Sequence, residues 1–300
     1  MIARSSCLAG LIFLLGAGAC GSVEADGDPD SGMQPSDAAA ADGASDGGLA
    51  STVTFRASES ATGEDVTSLV IPRPTAVVGG DALLAHVSNR NNVEASIAPP
   101  AGWTELRSDQ SASQLKSWLL WKVAGDEEPD EYAFGISAES NAAGTIVAFS
   151  GVDPVTPIDA ASGQRNGNAD EFITPPLTTS SSGGLAVWFG AQLWAVSGCP
   201  SDQITPPEGF TDIAEECLSA SSTGVLLEAA TLSLGDAGPQ PAWVGSSPFT
   251  ETNTAQAVAL RPASGRTGAA GDDVSTGVTT VDQLGPPGIV EETLHQTRDR

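Results

Sequence analysis

Between about residue 53 and residue 262 the chain alternates short apolar runs with clusters of Gly, Pro, Asn, Asp and Ser. In the first half these runs are GDALLAHVS, LKSWLLWKVA, YAFGIS and GTIVAFSGV. Runs this short, closed by turn-forming residues, predict the strands of a sandwich or barrel, and no stretch shows a long helical period. Within 117–123, Trp118, Leu120 and Lys122 alternate with Leu119, Trp121 and Val123. One face of that strand is therefore largely apolar and the other mixed.

The pattern also repeats. PPAGWTELRSD begins at Pro99 and PPEGFTDIAEE at Pro206. Extending the match sets Gly79-Gly80 against Gly183-Gly184, Phe55 against Ile158 and Val147 against Val258. The offset is 104 at the glycines, 107 at the prolines and 111 at the last strand. Small loop insertions between equivalent strands produce such drift, so the chain reads as an internal duplication, 51–152 and 153–262. In each copy two prolines hold an extended approach, Gly102 or Gly209 permits a turn, and Trp103 or Phe210 covers the end of the core. The aliphatics Leu106 and Ile213 follow three places after the aromatics. Strict alternation would set them on opposite faces, which predicts a bulge or a strand that starts after the aromatic. The expected fold is all-β: a β-sandwich, immunoglobulin-like or jelly-roll-like, built from the two repeats as packed units, with one merged sandwich as the alternative. Trp103, and Trp194 beside Cys199, are the candidates for stacking on a ligand such as a sugar.

Composition narrows the partners. Only 17% of residues are charged, and 38 acids against 12 bases give a formal charge of -26. Such a field repels phosphate backbones, so nucleic acid is excluded as an expected partner. The chain opens MIARSSCLAGLIFLLGAGAC, one base and an apolar run too short to span a bilayer, which reads as a secretory signal over 1–19. Its ending, Ala17-Gly18-Ala19-Cys20, resembles the lipobox of bacterial lipoproteins. That resemblance implies diacylglyceryl and acyl lipid on Cys20 as the only non-protein group and a membrane anchor through it. With Gly21, not Asp, after the Cys, it implies an outer-membrane location in the bacterial envelope. Residues 20–50 hold no base and no aromatic, and read as a disordered acidic tether. Asp26, Asp28, Asp30 and Asp37 have calcium-loop spacing, but Ser31 occupies the position where the sharp turn needs Gly and no Glu closes the loop. Residues 263–300 read as a disordered tail with a short helix over 290–296.

Candidate chemistry is sparse. Of four cysteines, Cys7 would leave with the signal, and Cys199 and Cys217 lie eighteen residues apart in an exported setting, which predicts a disulfide. Neither CxxC spacing nor a nearby His supports a metal or a redox pair, and no metal is expected. Of two histidines, His86 falls in a predicted strand and His295 in the tail; GxSxG and HExxH do not occur. The pairs Glu127-Glu128 and Glu215-Glu216 lie beside turns, where solvated charge is expected.

As a set, Pro99 to Thr104, Lys122 to Gly125, Glu128-Pro129, Tyr132 to Ile136, and Ser150 to Asp153 with Pro157-Ile158-Asp159 resemble exported and phage-tail-associated bacterial proteins. Those carry PP-x-GW-T, KVAG and SGVD-x-x-x-PID phrases. The resemblance covers about 51–262 and implies a β-sandwich surface module without assigned catalysis. It carries over no site residues. The expectation is therefore a lipid-anchored envelope protein, not an enzyme, acting in binding, adhesion or structure toward an envelope or extracellular glycan or protein. A carbohydrate-binding or carbohydrate-active surface protein is the alternative.

Overall fold

The computed structural model describes residues 51–264, apart from 113, 195–197, 200–202 and 220–223. The expected signal, Cys20, the tether, the calcium-like acids and most of the tail, including 290–296, lie outside the described residues. Among those described, every regular element is a strand. The first half holds β1 (Thr54–Pro72), β2 (Ala82–Arg90), β3 (Ile97–Ala98), β4 (Thr104–Ser111), β5 (Leu115–Val123) and β6 (Glu131–Ser150). The second holds β7 (Ile158–Thr174), β8 (Leu177–Thr179), β9 (Leu185–Trp194), β10 (Thr211–Leu218), β11 (Gly224–Ser233), β12 (Gly238–Gln240) and β13 (Trp243–Leu260).

The two halves share one topology. The first sheet runs β1-β6-β2-β5-β4 with β3 also on β6, the second β7-β13-β9-β11-β10, and every one of these pairings is antiparallel. Irregularities recur as well. Leu106 bulges from β4 between Glu105 and Arg107, and Ile213 from β10 between Asp212 and Ala214. Both strands also begin just after the aromatic, so both expected devices occur. At the glycines, however, the register read from sequence is one residue out. Gly80 (φ 89°) corresponds to Gly183 (φ 72°), and Ala82 to Leu185, Ala82 standing opposite Phe149 of β6 and Leu185 opposite Leu260 of β13. A one-residue slip would have turned every side chain of β2 to the wrong face.

Strands β1 and β6 are long because each serves two layers. Their register breaks between Gly63 and Ser68, where Asp65 (φ 51°) donates its N–H to Asn141 Oδ1 at 2.9 Å. Beyond the break, Leu69 and Ile71 fold back over the sheet; a Cβ on Gly144 would come within 2.7 Å of Ile71 Cδ1 and 2.8 Å of Leu69 Cδ2. The closure buries Leu83, Ala85 and Val87 of β2 and Trp118 and Leu120 of β5 against Leu69, Ile71, Tyr132 and Phe134. The second half builds a similar cluster from Phe172, Trp188, Leu226 and Trp243.

The remaining faces of the two main sheets meet each other. Ala82, Leu84, Leu119, Val147 and Phe149 pack with Leu185, Val187, Phe189, Ala229, Val258 and Leu260 in one apolar cluster. Each half thus has a core of its own and shares another. Fully burying one Val, Leu or Phe contributes on the order of 1.5–3 kcal/mol, so this shared layer is a large part of what orders both halves. The contacts across it are reciprocal: β1 touches β10 as β7 touches β4, and β6 touches β11 as β13 touches β5. That is the pattern of an isologous interface, here within one chain.

Candidate functional site

The repeated phrase forms the same turn twice. Trp103 N–H donates to Pro100 O at 3.1 Å and Phe210 N–H to Pro207 O at 3.0 Å, with Gly102 at φ 81° and Gly209 at φ 84°. A positive φ at the third position is what a type II turn demands of its glycine. The aromatic then turns inward. Trp103 is 7% exposed, edge-on to Tyr132 at 5.2 Å and Phe134 at 5.3 Å; Phe210 meets Trp243 at 5.4 Å.

Beside Trp103 lies a carboxylate that sequence reading assigned to solvent. Glu128 is only 5% exposed at its side chain; it accepts from Lys122 Nζ at 2.6 Å, Tyr132 Oη at 2.7 Å and Gly125 N–H at 2.6 Å. Burial pushes its pKa up, but these three donors outweigh burial and hold it below the usual range. Burial and the neighbouring carboxylate push the Tyr132 phenol well up. The correction has a local cause: the turn after Lys122 curls back, and Glu128 caps it. Nothing in the KVAGDEEP spelling distinguishes Glu128 from Glu127.

At the axis relating the halves stand His86 and Phe189, each the fifth residue of its strand, with ring centroids 5.1 Å apart. His86 has no solvent exposure, and neither ring nitrogen has a hydrogen-bond partner. Burial drives its pKa down to about 3, against a weaker upward pull from Asp109. It is a neutral strand residue, without the hydrogen bonds a general base requires. Polar contacts flank it: Ser88 Oγ, Ser117 Oγ and Thr254 Oγ1 form a chain at 2.7 and 2.8 Å, and Gln256 Nε2 donates to Asp109 Oδ2 at 2.7 Å. Asp109 is also held by Arg107, which donates to Gly163 O at 2.8 Å across the halves. Two other acids with lowered pKa tie down loops, whereas burial raises that of Glu216 within β10. Asp159 accepts from Arg261, Ser180 and Ser181; burial raises its pKa, but these donors bring it below the usual range. The Thr156 and Val155 N–H groups lower that of Asp153.

The body has two unlike ends. At one, the chain enters, crosses between halves and leaves: Ser51 N–H donates to Ala263 O at 3.0 Å, and Val152 bridges Pro262. A hollow of ≈ 760 Å³ lies there, lined by Ser51, residues 153–156 and residues 263–264. At the other end of β9, Trp194 is 2% exposed; it meets Phe249 edge-on at 5.3 Å and donates Nε1–H to Gly198 O at 2.7 Å. Cys199 and Cys217 are bonded there, with Cα atoms 5.8 Å apart. The stacking expectation is therefore corrected at both residues, since neither Trp103 nor Trp194 presents a ring face to solvent. No group of three potential metal-ligating side chains occurs among the described residues.

No family model, no curated protein and no solved structure matches this chain.

Proposed function

We propose that this chain is a non-catalytic surface module of the bacterial envelope, hung from a lipidated Cys20 and serving in binding, adhesion or structure. The observation that carries this reading is the position of the chain's exits. Ser51 and Ala263 leave side by side, so a tether attached there presents the far end of both halves outward. The acids held below their usual pKa support it as well: Glu128, Asp153 and Asp159 fasten turns, and His86 is sealed at the axis. The carbohydrate alternative rested on exposed aromatics at Trp103 and Trp194, and both are buried.

The anchor is tested by mass spectrometry of the mature N-terminal peptide together with membrane partition of Cys20→Ser. A thioether-lipidated Cys20, and release of the variant to the soluble fraction, are expected. An unlipidated start at another residue defeats the anchor. The module's role is tested by screening residues 51–264 against glycans and envelope components with hydrolysis monitored; turnover of any of them defeats the non-catalytic reading.

A further inference from the structure

The two halves differ in one covalent respect, and the difference is not needed for the sheet. Gln110 is the seventh residue of β4, as Cys217 is of β10, and it pairs with Lys116 in a ladder that runs on from the Leu106 bulge to Ser111 with no cross-link. The β10–β11 ladder likewise runs from Thr211 to Leu218 on its own hydrogen bonds. What the Cys199–Cys217 bond holds beside β10 is Gly198. Gly198, the residue before Cys199, accepts from Trp194 Nε1 at 2.7 Å and donates its N–H to Ser219 Oγ at 2.7 Å. Phe249 covers the ring from the other direction at 5.3 Å. The first half has no such arrangement: Asn91 follows β2 where Trp194 ends β9.

Access is uneven across the bond. Cys199 is exposed and Cys217 is half-buried on the edge strand. Thiolates attack the sulfur they can reach in line, and the other sulfur departs.

We propose that the Cys199–Cys217 disulfide is an exchange site for small thiols, and that its opening uncovers Trp194. In the first step a thiolate attacks Cys199 Sγ; a mixed disulfide forms, the Cys199–Cys217 bond breaks, and Cys217 leaves as a thiolate that takes a proton from water. A second thiolate attacks the small-molecule sulfur of the mixed disulfide and expels Cys199. Two thiols are oxidised to their disulfide, and the protein gains two electrons and two protons. Gly198 is then held by two hydrogen bonds at an exposed position, where water competes for both groups. Trp194 loses its polar partner, so the Nε1 edge of the ring opens to water while the rest stays against Phe249 and the core of the second half.

The test uses the full chain, oxidised, titrated with glutathione and with dithiothreitol under native conditions. Peptide mapping after alkylation should find glutathione on Cys199 at low thiol and both cysteines alkylated at higher thiol, while far-ultraviolet circular dichroism stays unchanged. Tryptophan emission should shift to the red in step, and the shift should be lost in Trp194→Phe. The Cys199→Ser, Cys217→Ser double variant should emit like the reduced protein and show no further change with thiol. Two results overturn the proposal. In one, alkylation appears only when the β signal collapses, which makes the bond a buried staple. In the other, reduction proceeds without any Trp194-dependent shift.

Discussion

His86 and Phe189 show how much one position can cost the fold. The same rung at the same axis holds Phe in one half and His in the other, and the imidazole is buried with no hydrogen bond to offset its desolvation. Its folded pKa of about 3 lies below the unfolded value near 6.5, so the unfolded chain binds the proton first. The stability it permits is complete above pH 6.5 and drains away as pH falls toward 3. Wild type should lose about 3 kcal/mol more than His86→Phe between pH 7.5 and pH 4. Urea unfolding at the two pH values measures this, and equal losses would remove His86 as the cause. Glu128 makes the opposite case, a charge that is fully partnered. Replacing Glu128 with Gln leaves Lys122 buried without its counter-charge and should lower stability by about 3 kcal/mol. A shift of the urea midpoint within error of zero would mean that water replaces the carboxylate at no cost. Neither effect was legible beforehand. A strand histidine and an acid beside a turn look ordinary until the neighbours are known.

At the level of elements the duplicated turn was legible almost completely. Pro-Pro, Gly and an aromatic each have one local job, and the structure assigns Trp103 and Phe210 to the core. Since Gly102 and Gly209 both adopt φ above 80°, changing either to Ala should cost about 1–2 kcal/mol. Thermal or urea unfolding of the two single variants checks this, and the losses should be alike; a cost confined to one copy would show that the turns are not equivalent. Bulges do occur at Leu106 and Ile213, yet the aromatic and the aliphatic do not share a face: Trp103 and Phe210 pack in the separate cores, Leu106 and Ile213 against the shared layer. Register at the glycine pair was not legible. Two Gly-Gly pairs align by letter at an offset of 104, yet the face each strand must bury requires 103. Only the pairing of β2 and β9 with their neighbours distinguishes the two.

For the molecule as a whole, the shared apolar layer couples two halves that each have a core. A hole at its centre should be felt on both sides. Phe189→Ala should lower stability by about 3–4 kcal/mol, and hydrogen exchange in peptides from β2 and β5 should quicken together with those from β9. Loss of protection confined to the second half would show that the halves open independently. The same packing explains why tryptophan burial was hard to assign from sequence. Trp118 and Trp188 fill the separate cores, and Trp194 joins the second of them at its rim, met edge-on by Phe249 from far along the chain and by Gly198 four residues on.

Read alone, the sequence determines what is local and periodic: strands, their punctuation, the duplicated phrase, the cysteine pair that bonds and the acidic balance. Those follow from backbone stereochemistry and from side-chain alternation over a few residues, so few neighbours are needed to infer them. Tertiary structure decides which face of each strand meets the other half, that the halves pack reciprocally about His86 and Phe189, and that Glu128 is buried. It also brings the entry, the crossing and the exit to one end. These depend on contacts between residues far apart in the chain, and their energies exist only once the sheets have closed on one another.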